Sequence, residues 1–146
     1  MNYPPYPFEQ SLNGLIYAFE SVSDQRSIQK YVIFTSIENQ RYNLALVDLD
    51  EDGQLSDTTV SNNNDMERVL STVIRITLQF LTTRPKCEVV FAGSTPERTR
   101  LYRVIINKHV EDVADTINVF GMLSNGEQER FQPNRAYVSF MLSLKE

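Results

Sequence analysis

Ser94, Thr95, Arg98, Arg100 and Arg103 crowd into one stretch, FAGSTPERTRLYR, at residues 91–103. Hydroxyls, guanidinium groups and the start of a helix are together the ingredients of an anion site. Thr95 suits a helix cap and Pro96 suits the first helical position, while Ser94 with Glu97 offers a second capping arrangement. The first amides of a helix, backed by its dipole, attract a phosphate or carboxylate. Gly93 would let the backbone approach such a group closely. Arg98 shares a stripe with Leu101, Tyr102 and Ile105, so its side chain is expected to lean back toward the strand-to-helix corner. Arg100 and Arg103 occupy another stripe, nearer solvent. The expected ligand set is therefore Ser94, Thr95, Arg98 and Arg100. Tyr102 is a stacking or packing neighbour, and Asn62 and Asn63 are outer members. The competing reading is structural: the hydroxyls only cap, and Arg98 pairs inside the fold. A Walker-type phosphate loop is absent, because no longer glycine-rich loop ends in Lys-Ser or Lys-Thr.

A second candidate is acidic. In DLDEDG, residues 48–53, Asp48, Asp50, Asp52 and Gly53 take the first, third, fifth and sixth places of a calcium loop. The twelfth place holds Thr59 where a bidentate Glu is needed, and a strand rather than a helix precedes. The expectation is a strand end running into an Asp-Gly turn with solvated carboxylates. Glu20, Asp48 and Asp50 are also the acids that a metal-dependent enzyme acting on nucleic acid or a phosphorylated ligand would use, and nothing in their spacing singles them out. His109 is the only histidine and is read as a dipole partner at a helix end. Cys87 is read as a small buried hydrophobe. No Cys/His set for zinc and no Gly-x-Ser-x-Gly elbow is present. A non-enzymatic binding or interaction module without a cofactor is the expectation.

Charge narrows the partner. The 146 residues carry a net charge of −5, which argues against bulk nucleic-acid binding. The distribution is uneven, however. Residues 42–67 hold seven acids and no Lys or Arg, whereas residues 95–109 set Arg98, Arg100, Arg103 and Lys108 against Glu97 alone. A basic patch on an acidic body suits a discrete anionic small molecule or protein, or a homodimer in which the two segments meet. No apolar run approaches the ~20 residues of a membrane span, and MNYPPYPFEQ does not read as a secretory signal. With one cysteine unable to form an internal disulfide, a cytoplasmic location is expected.

These residues must be positioned by an α+β domain. Residues 1–11, with Pro4, Pro5 and Pro7, read as an extended arm pinned by Tyr3, Tyr6 and Phe8, and residues 12–146 as a single domain. LIYAFESV (15–22), KYVIFTSI (30–37) and YNLALVDL (42–49) are strand-like and joined by short polar connections, which predicts a three-stranded antiparallel meander. Met66, Val69, Leu70, Val73, Ile74, Thr77, Phe80 and Leu81 then recur at helical spacing, with Asn64 and Glu67 placed for a capping box and Arg84-Pro85 for the stop. The β-branched middle of that helix requires burial to stabilise it. CEVVFAG (87–93) is a strand, and strand-helix-strand implies a parallel pair. A second helix from Pro96 to about His109 and strands near 117–123 and 137–144 complete a β-β-β-α-β-α-β-β order, a mixed sheet with both helices packed on it. The first seven elements also describe a ribonuclease H-like core, a topological analogy that carries no function.

Two segments, VSNNNDMERVLSTV (60–73) and VVFAGSTPERTRLYRVII (89–106), resemble an uncharacterised bacterial domain family of unknown function. The shared pattern falls on Val60, Ser61, Asn62, Asn63 and Asp65, and on Gly93, Ser94, Thr95, Arg98, Thr99, Arg100, Leu101 and Tyr102. Phe120, Gly121, Phe131, Tyr137 and Phe140 fit more loosely. The resemblance implies no activity, cofactor or substrate.

Overall fold

Side-chain alternation builds the first half of the sheet. The computed structural model describes residues 4–24, 26–50, 52–56, 65–93 and 95–145. In chain order these form β1 (Phe8–Gln10), β2 (Ile16–Val22), β3 (Ser27–Glu38), β4 (Arg41–Leu49), β5 (Leu55–Ser56), α1 (Met66–Thr83), β6 (Glu88–Phe91), α2 (Pro96–Val113), β7 (Ile117–Met122), β8 (Gln128–Arg130) and β9 (Ser139–Leu144). Strands β2, β3 and β4 are the expected antiparallel meander. The α1 crossover then delivers β6 parallel to β4, and β9, β7 and β8 follow antiparallel. Across the sheet the order is β1-β2-β3-β4-β6-β9-β7-β8, with β5 paired to β4 off that row. The α+β class holds. Beyond the expected elements, the described residues also form three short strands, β1, β5 and β8.

One face of this sheet is the core. Tyr17, Phe19, Val32, Phe34, Leu44, Val89, Phe91, Val119, Phe140 and Leu142 share it by register and are all buried. Both helices lie on that side. Phe80 of α1 stacks on Phe34 with ring centroids 3.9 Å apart and meets Tyr42 edge-on at 5.1 Å. Val69, Leu70, Thr72, Val73, Ile76 and Thr77 are buried with it, so tertiary contact does offset the poor helix propensity of the β-branched run. The buried hydroxyls of Thr72 and Thr77 are satisfied by the carbonyls one turn back, of Arg68 and Val73.

The start of α1 differs from the expected capping box. Asn64 lies outside the described residues, and Asp65 occupies the cap position without a side-chain bond to its own helix. Its carboxylate instead accepts the hydroxyls of Tyr6 and Ser21, tying α1 to β2 and to the N-terminal segment. Burial first, then the bond to Asp65, raises the Tyr6 phenol above its ordinary range. Glu67 reaches out to α2 and accepts from Lys108 Nζ at 2.9 Å, the main cause of its lowered pKa. The proline-rich start is likewise more than an irregular arm. Tyr6 is buried, its amide donates to Thr72 Oγ1, and residues 8–10 pair with β2.

The β7–β9 end is closed by aromatic packing. The ring of Tyr137 lies flat on Gly121, where a Cβ would come within 2.3 Å of the ring carbons. Phe131 and Phe140 pack around the same ring. The Tyr137 hydroxyl donates to Glu129 and accepts from the Gln132 amide. Replacing Gly121 with Ala should therefore destabilise the domain by about 1–3 kcal/mol, the usual cost of overpacking. Urea denaturation checks this; a Gly121→Ala midpoint equal to wild type would contradict the packing described.

Candidate functional site

The strand-to-helix corner is held together by three residues of the arginine-rich stretch. A Cβ on Gly93 would sit 2.6 Å from both Arg98 Cβ and the Thr99 amide nitrogen, so only glycine lets the first turn of α2 press on the end of β6. Thr99 is buried; its hydroxyl accepts from the Gly93 amide at 3.0 Å and donates to the Thr95 carbonyl at 3.2 Å. Thr95 caps as expected, its side chain accepting from the Arg98 amide, with Pro96 in the first turn. Tyr102 is buried and stacks on Phe91 at 4.8 Å, which gives it a packing role.

That arrangement consumes most of the helix start. Pro96 has no N–H, the Arg98 amide is spent on Thr95 Oγ1, and the Thr99 amide is bonded to the Thr95 carbonyl. Among the described residues, the Arg98 and Thr99 amides are therefore not available to an anion. Arg98 is half-buried and engaged in an interaction within the molecule, so it is not a free guanidinium. Ser94, Asn62 and Asn63 lie outside the described residues.

What remains is one turn further along. Arg100 and Arg103 line a cleft of about 580 Å³ together with Gly93, Thr95, Pro96 and Thr99 on one side. Ala136, Tyr137 and Val138 form the other side. Arg100 is exposed and has no bonded partner among the described residues. Arg103 spends one of its five N–H donors on the Arg135 carbonyl at 3.1 Å. The opposite wall is braced: Arg135 binds the Glu129 carboxylate through two nitrogens, at 2.8 and 3.1 Å. The Tyr137 hydroxyl, and then Arg135, hold Glu129 below the ordinary glutamate range. Sequence reasoning placed Arg103 near solvent without assigning it to the site, and it had no signal for the 136–138 wall, which is distant in the chain.

The other candidates separate. Asp48 is not a solvated turn carboxylate: it is buried on the core face and pairs with the equally buried Lys30 at 2.6 Å. Asp50 accepts from the Asp52 and Gln54 amides within its own turn. Glu20 faces away from the core, opposite Gln29 in the register, so the acids of the enzyme reading do not converge. Among the described residues no three His, Cys, Asp or Glu side chains gather to hold a metal. His109 lies short of the end of α2, which runs on to Val113, and is buried between Glu67 and Asp112. Its dipole role gives way to that of a link between the helices. Cys87 is half-buried against the core, one residue before β6. A small apolar cavity of about 30 Å³ lies under the helices among Leu70, Val73, Ile106, Ile117 and Leu142, room for one water-sized body. No helix among the described residues is long and apolar enough to cross a membrane.

Residues 2–145 match the model described as Family of unknown function (DUF6934), and the chain belongs to that family. No curated protein and no solved structure matches it.

The corner thus divides into residues that hold the fold and residues left over. Thr99→Val should lower stability by about 1–3 kcal/mol, because it leaves buried partners unsatisfied. Arg100→Ala should stay within about 0.5 kcal/mol of wild type, as an exposed substitution does. Chemical denaturation of both variants tests the division, which fails if Arg100→Ala is the more damaging.

Proposed function

We propose that this member of a family of unknown function is a non-enzymatic recognition domain, and that the cleft between α2 and residues 136–138 takes an anionic group. One observation carries the reading: Arg100 projects at the cleft with no partner among the described residues, in a corner where the neighbouring polar groups are already spent. Arg103, on the next turn, keeps donors to spare. Two guanidinium groups at i and i+3 can grip a phosphate or carboxylate from one side. The volume falls in the ~300–1,000 Å³ range of small-ligand pockets. Val138, Ala136 and Tyr137 offer an apolar wall for the body of a small anionic molecule. The reading is of a cytoplasmic protein, with Cys87 as its one thiol.

The metal-dependent enzyme acting on nucleic acid or a phosphorylated ligand has less support. Asp48 is committed to Lys30, and Glu20 lies on the far side of the sheet. Homodimerisation through the acidic segment and the basic helix face is weakened by the same commitment of Asp48 and by the inward use of Asp50.

A thermal-shift series with inorganic phosphate, pyrophosphate, ADP and citrate, each with and without magnesium, tests the proposal. Binding to the folded state should raise Tm with ligand concentration. Arg100→Ala and Arg103→Ala should each abolish the shift while keeping the ligand-free Tm near wild type. Shifts of equal size in the variants, or none with any anion, would overturn it. A shift that requires magnesium would favour the enzyme reading.

A further inference from the structure

The cleft beside α2 has a second set of unused groups, and they belong to its other wall. Residues 135–137 run along the groove outside any strand and enter β9 through a bend at Val138. Tyr137 is buried with its ring against Gly121, while Arg135, Ala136 and Val138 are exposed, so the segment alternates as extended chain does. Among the described residues, the backbone amides and carbonyls of Ala136 and Tyr137 form no hydrogen bond. The segment is nevertheless fixed in place. Glu129 clamps Arg135, the Arg135 carbonyl accepts from Arg103, and the Val138 amide donates to the Met122 carbonyl. A held, extended edge with spare donors and acceptors is what an added chain pairs with.

We propose that the cleft takes the C-terminal end of an extended peptide, its terminal carboxylate on Arg100 and Arg103 and its backbone along residues 136–137. The inference rests on the anion reading of this cleft and narrows it to one class of partner. Backbone chemistry is the first argument. A wall that offers carbonyls beside amides gives a compact anion nothing to bond at the carbonyls, whereas a peptide backbone uses both. Length is the second. From Pro96 to Arg103 the helix rises ~10 Å, and residues 135–138 span ~10 Å when extended, so the two walls run side by side for about three residues of ligand. Charge is the third. The described residues that line the cleft include two arginines and no carboxylate, and the two oxygens of a terminal carboxylate suit such a pair of guanidinium groups. Exposed Pro96, Ala136 and Val138 offer apolar surface to the side chains of the ligand.

NMR titration of the full chain with acetylated tetrapeptides ending in Ala, Val, Leu or Phe tests this, each peptide prepared as the free acid and as the amide. A free-acid peptide should move the Ala136 and Tyr137 backbone amides together with the Arg100 and Arg103 side-chain resonances, and saturate. Amidation of the peptide should weaken binding by at least about tenfold, and so should N-methylation of its last peptide nitrogen. Arg100→Ala should weaken the free acid to the level of the amide. Inorganic pyrophosphate, titrated in parallel, separates the two readings. If pyrophosphate binds while no free-acid peptide moves Ala136 or Tyr137, the peptide inference is overturned and the anion reading stands. Equal affinity for acid and amide forms overturns it as well. No response to pyrophosphate or to any peptide overturns both.

Discussion

The contact on which the rest turns is the one between Gly93 and the first turn of α2. Because no side chain intervenes, the helix starts directly on the end of β6, and Thr99 bonds back to the same glycine. That joint sets the direction of α2. Tyr102 then falls on Phe91, and Lys108 and His109 reach Glu67 across the helix pair. Arg100 and Arg103 are turned toward the 136–138 wall by the same geometry. The constraint that bonds Thr99 and the Arg98 amide inward leaves Arg100 without a bonded partner among the described residues.

The second organising constraint is asymmetry between the sheet faces. Tyr17, Phe34, Tyr42 and Phe80 form an aromatic cluster that anchors α1 at one end of the core, and Phe91, Tyr102, Tyr137 and Phe140 anchor the other. A two-layer domain of this kind leaves the remaining sheet surface to solvent or to a partner. That surface mixes Ile16, Val22 and Ile33 with Glu20, Gln29, Thr35 and Asn43, and it lies on the far side of the sheet from the helices.

Much of this was legible from residue order. The meander, both helices, the parallel β4–β6 pair and the Thr95–Pro96 helix start follow from periodicity and capping chemistry, which are local signals. The three missed strands are two or three residues long; QER in β8 shows no apolar alternation, and β1 follows a proline cluster, so neither leaves a pattern to read. The Asp48–Lys30 pair was hidden because it depends on strand register across 18 positions, and register is a tertiary property. At the corner, the Thr95 cap and the Pro96 start were readable from residue types, whereas the inward bonds were not. Spacing could not reveal that Thr95 and Thr99 bond inward, or that residues 136–138 close the cleft.

The central claim is that Arg100 and Arg103 hold the unspent positive charge of this corner. A titration of the arginine Nε–Hε resonances with inorganic pyrophosphate, followed by NMR, tests it most directly. Those of Arg100 and Arg103 should move together and saturate, while those of Arg75 and Arg84 stay in place. Uniform drift of all the arginines, or no movement at Arg100, would contradict it.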